Sequence, residues 1–196
     1  MNDAPLFDPW RALDVLNQHE VRYLVVGGLG AILHGSAHTT EDLDVLADCD
    51  PENLQRLADA LEALDARLRV AGMSDDETRL LPILLDARML ANAATWTLAT
   101  NAGALDILSF LKTIRGAELS YHGLRDAAVI ADTGIGPVLV ASLDHIIQAK
   151  TFAGRPKDLA VLPELHELLG SKSRSGHAPQ SLIELRFTRA LETAIA

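Results

Sequence analysis

Apolar residues recur every three or four positions in two stretches in the first third of the chain. One spans residues 9–18, where Asp8 followed by a proline is a typical helix start. The other spans residues 51–68 and has the same apolar stripe. Two amphipathic helices are therefore predicted. The short apolar runs at residues 22–26 and 42–46 predict buried strands near them.

Farther along the chain, β-branched and aromatic runs flank glycine-containing turns. Residues 95–100 and 104–108 predict one hairpin, and residues 128–131 and 137–141 predict a second. Residues 77–93 have a pattern that favours a helix interrupted by a proline. The middle of the chain is thus predicted to be rich in strands.

The end of the chain has a helical pattern. A first helix is predicted from a Ser142 cap to Gly154, a second over residues 156–170, and a third after Pro179. The polar residues 171–177 predict a linker between the last two. We therefore divide the chain into a core, residues 1–141, and a C-terminal helical segment, residues 142–196.

The charge of the chain is acidic overall but uneven. Lysine and arginine number 17 against 27 aspartates and glutamates, which gives a net charge of -10. The acidity argues against a general nucleic-acid coat protein, whereas the mildly basic residues 145–196 suit contact with a polyanion. Cys49 is the only cysteine, which excludes an intrachain disulfide and a thiolate metal cluster.

The hydropathy of the chain bears on its location. No apolar run reaches the roughly 20 residues that a membrane span needs. The first residues also lack the basic start of a signal peptide. We therefore expect a cytoplasmic protein with no membrane partner.

Two glycines and two aspartates carry the first chemical signal. Gly27 and Gly28 lie between a predicted strand and a helix predicted over residues 29–34, where backbone N–H groups suit a phosphate. Asp42 and Asp44 occupy alternate positions of the next strand, so they share a face about 6–7 Å apart. Two such carboxylates repel unless a cation lies between them, and Mg²⁺ or Mn²⁺ is the usual one. The alternative is a strand end with two solvated acids.

Asp106 is a single acid in the apolar strand Leu105-Asp106-Ile107-Leu108. A buried carboxylate without a partner is unfavourable, so it needs a metal, a cation or the end of a sheet beside it. A carboxylate placed there can also accept the proton of an attacking hydroxyl group. Asp106 is therefore predicted to be a third acid of the same site, and an acid paired with an arginine is the alternative.

Gly27-Gly28 and Thr40-Glu41-Asp42-Leu43-Asp44, with Asp106 later, resemble the nucleotidyltransferase (polymerase-beta-like) superfamily. The stretch from Ser142 to Leu159 is similar to the matching region of AbiEii-type and MenT-type nucleotidyltransferase toxins. The resemblance implies an α+β fold in which helices back a small mixed sheet, with the acids at its open edge.

The resemblance also implies roles for single residues. The three acids would bind metal and act in catalysis, and Lys150 would hold the triphosphate with support from Asp158 and a further contact from Arg155. Many relatives have arginine in place of His38 and serine in place of Gly28, and these phosphate contacts differ here.

The implied activity is transfer of a nucleoside monophosphate from a nucleoside triphosphate to the 3′ end of tRNA, which would block translation. A cognate antitoxin, which could be kinase-like, is the implied protein partner, and Thr40 or Thr39 is the residue that it would phosphorylate. Three alternatives stay open: a small-molecule (antibiotic) adenylyltransferase, a protein adenylyltransferase, and a non-catalytic binding or antitoxin module.

Overall fold

The computed structural model describes residues 6–175, which form eight helices and nine strands. The helices are α1 (Pro9–Gln18), α2 (Gly27–Leu33), α3 (Pro51–Ala63), α4 (Asp75–Arg79), α5 (Ala87–Leu90), α6 (Tyr121–Leu124), α7 (Leu143–Ala153) and α8 (Pro156–Ser175). The strands are β1 (Tyr23–Val25), β2 (Asp42–Ala47), β3 (Arg67–Leu68), β4 (Thr95–Thr100), β5 (Gly103–Leu108), β6 (Leu111–Lys112), β7 (Glu118–Leu119), β8 (Val129–Asp132) and β9 (Pro137–Val140).

A mixed sheet forms the centre of this part of the chain. Its strand order is β3-β4-β5-β2-β1-β9-β8. The pairs β2/β5 and β1/β9 are parallel, and the other neighbours are antiparallel. Helices α1, α3 and α5 pack in one group, and α2, α7 and α8 in another. The predicted α+β class with helices backing a mixed sheet is confirmed.

The first helix shows how local sequence determines an element. It covers residues 9–18 as predicted, and the Asp8 carboxylate accepts a hydrogen bond from the backbone N–H of Arg11. Leu13 and Leu16 of its apolar stripe are completely buried. The apolar spacing and the cap therefore agree, and both stabilise the same ten residues.

Two helix predictions were wrong in extent. The helix predicted over residues 51–68 ends at Ala63, because Asp65 adopts a left-handed backbone with φ of 48° and Arg67–Leu68 pair with β4. The helix predicted over residues 77–93 is two short helices on either side of the proline. Ser74 caps α4, and Asp86 caps α5 by accepting from the Met89 N–H.

The C-terminal predictions hold for α7, where Ser142 caps the helix and Gly154 ends it in the left-handed conformation. The second helix begins at Pro156 as predicted but continues through Ser175, so the linker prediction was wrong for residues 171–175. The third helix, predicted after Pro179, lies outside the described residues. The division at residue 141 stays a prediction.

Two features near the middle and start of the chain were not predicted correctly. Residues 109–127 contain the β6–β7 hairpin and α6, for which the sequence pattern predicted no element. Helix α2 begins at Gly27 and not at residue 29. None of the helices in residues 6–175 has the length and apolarity needed to cross a membrane.

Candidate active site

The pairing of β2 with β5 brings the three predicted acids together. The strands are parallel, and Asp44 lies directly opposite Asp106 in the register. Because Asp42 is two residues before Asp44, its side chain points to the same face of the sheet. All three carboxylates are partly exposed on that face, whereas Leu43 and Val45 are completely buried.

Gly27 provides the space in which Asp44 lies. Its φ is 59°, and a Cβ atom built on it would lie 1.8 Å from Asp44 Oδ2. The backbone N–H of Gly28, predicted as a phosphate donor, hydrogen-bonds Asp44. A Cβ atom at Gly28 would lie 2.5 Å from the hydroxyl oxygen of Thr40. The Thr40 hydroxyl therefore occupies the space that a side chain at position 28 would need.

The acids repel one another at this edge of the sheet. Burial, followed by the charges of Asp42 and Asp106, raises the pKa of Asp44 to about 6, and Lys150 offsets only part of this effect. Burial also raises the pKa of Asp106, although the positive charge of Arg69 opposes the shift. The edge of the sheet formed by these three acids is therefore locally negative, and a bound divalent cation would neutralise that charge.

Lys150 and Arg155 are held at the cleft by one buried carboxylate. Asp158 is 2% exposed, and its two oxygens accept from Lys150 Nζ at 3.2 Å and Arg155 Nε at 2.5 Å. Burial alone would raise the pKa of Asp158, but these two hydrogen bonds hold it below its ordinary value. Asp158 thus stays ionised and positions both cations.

The two threonines before the acids differ in accessibility. The Thr40 hydroxyl donates to Asp42 Oδ1 at 2.8 Å and is partly buried. Thr39 is exposed and also lines the cleft. Thr39 is therefore more open to modification than Thr40.

His38 is the residue at which many nucleotidyltransferases of the resembling group have arginine. Its ring nitrogen Nδ1 lies 2.5 Å from Glu164 Oε2, and Glu164 Oε1 accepts from the Ala37 N–H at 2.7 Å. Helix α8 therefore fixes the loop that precedes β2. His38 lines the cleft but has a partner within the protein.

All the predicted site residues line one cleft, whose volume is about 620 Å³. The nucleotide-binding, metal-binding and modification predictions fall on its wall at Gly27, Gly28, Thr39, Thr40, Asp42, Asp44, Asp106, Lys150, Arg155 and Asp158. The structure thus brings together residues that are up to 131 positions apart, from 27 to 158. Their roles stay predictions.

Sequence reasoning missed several residues of this cleft. Phe110, Lys112 and Phe152 form part of its wall. Arg69, which was also missed, pairs with one of the cleft acids, since its Nη2 lies 3.4 Å from Asp106 Oδ1. Arg69 follows β3, a strand that was predicted to be the end of a helix. No local pattern could have identified these side chains, because their partners come from distant segments.

A second cluster of acids lies at the other end of β2. Among residues 6–175, only Asp48, Asp50 and His122 bring three metal-ligating atoms within 4.8 Å of one another. Arg22 already pairs with Asp48 at 2.6 Å and with Asp50 at 3.0 Å, so this cluster is a salt-bridge network. The three cleft acids do not bring one oxygen each within that distance of both others.

Comparisons with known proteins bear on the fold. No protein-family model matches the chain, and no curated protein matches it. The lincosamide antibiotic adenylyltransferase LnuA, in its lincomycin-bound crystal structure, aligns over 82% of this chain and 95% of its own, with 17% identity and a TM-score of 0.52. ANT(2″)-Ia in complex with adenylyl-2″-tobramycin aligns over 96% of this chain and 97% of its own, with 13% identity and a TM-score of 0.52.

Likeness at these identities shows the fold and leaves the substrate open. It does not support the narrower resemblance to AbiEii-type and MenT-type toxins, which stays a prediction. The mixed sheet backed by helices aligns with both of these structures over most of their length. The described chain therefore has the nucleotidyltransferase fold.

Proposed function

We propose that this protein transfers a nucleoside monophosphate from a nucleoside triphosphate to a hydroxyl group of an acceptor and releases pyrophosphate. The observation that carries the proposal is the convergence of Asp42, Asp44 and Asp106 with Lys150 in one cleft of a nucleotidyltransferase fold. Carboxylates for metal, a cation for phosphate and an acid for the acceptor are the groups that such a transfer requires.

The donor atoms fit a hard divalent cation. Asp42, Asp44 and Asp106 offer only carboxylate oxygens, which Mg²⁺ and Mn²⁺ prefer. Burial and the charges of Asp42 and Asp106 raise the pKa of Asp44, and a divalent cation beside it would oppose this effect. These three acids would hold a divalent cation, which would supply neutralisation of the charge on the reacting phosphates.

The chain's own residues account for the other parts of the reaction. Lys150 and Arg155, held by Asp158, bind the triphosphate oxygens. Asp106 accepts the proton of the acceptor hydroxyl. The acceptor oxygen then forms a bond to the α-phosphorus, and the bond from that phosphorus to the oxygen bridging to the β-phosphate breaks. That electron pair leaves with pyrophosphate.

A small molecule with few positive charges is the acceptor that we favour. Both structural neighbours are described with antibiotics, lincomycin in one and an adenylylated tobramycin in the other. In the described part of the chain, the acids that line the cleft are Asp42, Asp44, Asp106 and Asp158. Asp42, Asp44 and Asp106 would hold the divalent cation, and Asp158 pairs with Lys150 and Arg155, so the cleft would offer no spare carboxylate for a polycationic antibiotic.

The 3′ end of tRNA is the second candidate acceptor. Lys112 and Lys157 also line the cleft, and together with Lys150 and Arg155 they suit an acceptor that carries phosphates. If tRNA is the acceptor, we expect a cognate antitoxin as the protein partner. Its control would act by phosphorylation of Thr39, which is exposed, or of Thr40.

The experiment incubates the protein with each α-labelled nucleoside triphosphate and Mg²⁺, together with lincosamides, aminoglycosides, total RNA or protein extract. We expect label on a lincosamide-like compound, which carries few positive charges, and none on the polycationic aminoglycosides. Label on tRNA would establish the second candidate. No label on any acceptor, with the wild-type protein folded, would contradict nucleotidyl transfer.

A further inference from the structure

One wall of the cleft combines two aromatic rings with a lysine. Phe110 and Lys112 lie at the start of the β6–β7 hairpin, and Phe152 lies in the last turn of α7. The Lys112 ammonium lies 5.7 Å from the Phe110 ring centroid and 5.8 Å from that of Phe152. We call these three residues the aromatic wall.

Phe152 presents a large part of its ring to solvent. It is 46% exposed although it borders the cleft, and no mechanistic step above uses it. Lys112 also pairs with Glu118 at 3.5 Å, which keeps the ammonium near the two rings. An accessible ring beside a fixed cation is a surface on which a flat, electron-rich group stacks well.

The position of the aromatic wall relative to the phosphate-binding residues indicates its ligand. Lys150 and Phe152 both lie in the last turn of α7, and although residues two apart on a helix point in different directions, both side chains line the same cleft. Arg155, the second predicted phosphate contact, begins the turn into α8. A nucleotide whose phosphates contact these cations therefore has its base within reach of the aromatic wall.

We propose that the aromatic wall binds the base of the incoming nucleoside triphosphate, with Phe152 as the stacking residue. This inference rests on the proposed function, since it concerns the donor substrate of the same cleft. Stacking tolerates every base but favours purines, which have the larger ring. The aromatic wall thus contributes affinity that the triphosphate alone cannot supply.

The test compares binding of two probes to the full chain. Mg²⁺·ATP contains a base, and Mg²⁺·tripolyphosphate contains only phosphates. We expect Phe152→Ala to weaken ATP binding by about 5-fold or more and to leave tripolyphosphate binding unchanged, whereas Phe152→Trp retains ATP binding. Leu159→Ala is the matched control, because Leu159 is 48% exposed on α8 and does not line the cleft.

Each other outcome overturns the inference. Equal weakening of both probes in Phe152→Ala would indicate a general distortion of the cleft. Unchanged binding of both probes in Phe152→Ala would show that the base binds elsewhere. The aromatic wall would then be available only to the acceptor. If the wild-type protein bound tripolyphosphate as tightly as ATP, base stacking would be refuted and the proposed function would stand. If the wild-type protein bound neither probe, both base stacking and the proposed function would be refuted.

Discussion

Asp44 is the residue at which the electrostatic strain of the cleft is concentrated. It is opposite Asp106, two residues from Asp42 and directly beside Gly27. Its pKa rises from 3.8 to about 6 because burial and the neighbouring acids disfavour the carboxylate. The folded protein without metal therefore holds a proton on Asp44 at a pH at which the unfolded chain has lost it.

The stability of the metal-free protein should consequently depend on pH. Since the folded state binds more protons between about pH 4 and pH 6, the Asp44 contribution lowers the free energy of unfolding as the pH rises through that window, by up to about 3 kcal/mol. Chemical denaturation in the presence of a chelator measures this. We expect the free energy of unfolding to fall less with rising pH in Asp44→Asn than in the wild-type protein. An identical pH dependence in the variant would contradict the assignment of this effect to Asp44.

Gly27 should tolerate no side chain. Gly27→Ala places a Cβ atom 1.8 Å from Asp44 Oδ2 on a backbone with φ of 59°, so both a clash and backbone strain result. Gly116→Ala is the control, because its φ is 75° and no atom lies within 4 Å of the added Cβ. We expect Gly116→Ala to lower the unfolding free energy by about 1 kcal/mol and Gly27→Ala to lower it further. Equal losses in thermal denaturation would contradict the close packing.

Helix α8 is the element that connects the separate parts of the cleft. Asp158 in its first turn holds Lys150, Glu164 holds the loop at residues 37–38, and Lys172 Nζ lies 2.9 Å from His34 Nδ1. Burial lowers the pKa of His34 to about 4, so its ring is neutral and accepts from Lys172 while Nε2–H donates to the Ala141 carbonyl. One helix therefore holds residues on both sides of the cleft.

Glu164 should affect nucleotide binding without touching the nucleotide. Glu164→Gln weakens the contact with His38 and loosens the loop that leads to Asp42, so we expect the KM for the nucleoside triphosphate to rise about 3- to 10-fold while kcat changes less. Glu167→Gln, on an exposed residue of the same helix, is the control. A fall in kcat with unchanged KM would argue against this positioning role.

The same elements show what the sequence could predict. Residues 9–18 and 143–153 were predicted correctly, since their caps and apolar spacing are local. The acids Asp44 and Asp106 could be grouped because each is conspicuous within its own strand. Arg69, Glu164 and Phe152 could not be identified, because their significance comes from contacts between segments that are far apart in the chain.

At the scale of the whole molecule, the fold brings a negative edge of the sheet against a positive helical corner. The acids come from β2 and β5, and the cations come from the junction of α7 and α8. The chain as a whole has a net charge of -10, so the cations at this corner are locally concentrated against that background. This arrangement suits a ligand that has one phosphate bound through a metal ion at the acids and another bound by the lysine and arginine side chains. A simple anion would suit it less well.

The fates of the α-phosphate and the γ-phosphate of the nucleoside triphosphate test the central claim most directly. The acceptor that the labelling experiment identifies is incubated with Mg²⁺ and the nucleoside triphosphate labelled at either the α- or the γ-phosphate. The proteins compared are the wild type, Asp42→Asn, and the exposed control Asp126→Asn. We predict that the α-label joins the acceptor and the γ-label leaves as pyrophosphate, that Asp42→Asn lowers transfer at least about 100-fold, and that Asp126→Asn transfers normally. Transfer of the γ-label to the acceptor, or undiminished transfer by Asp42→Asn, would contradict the account.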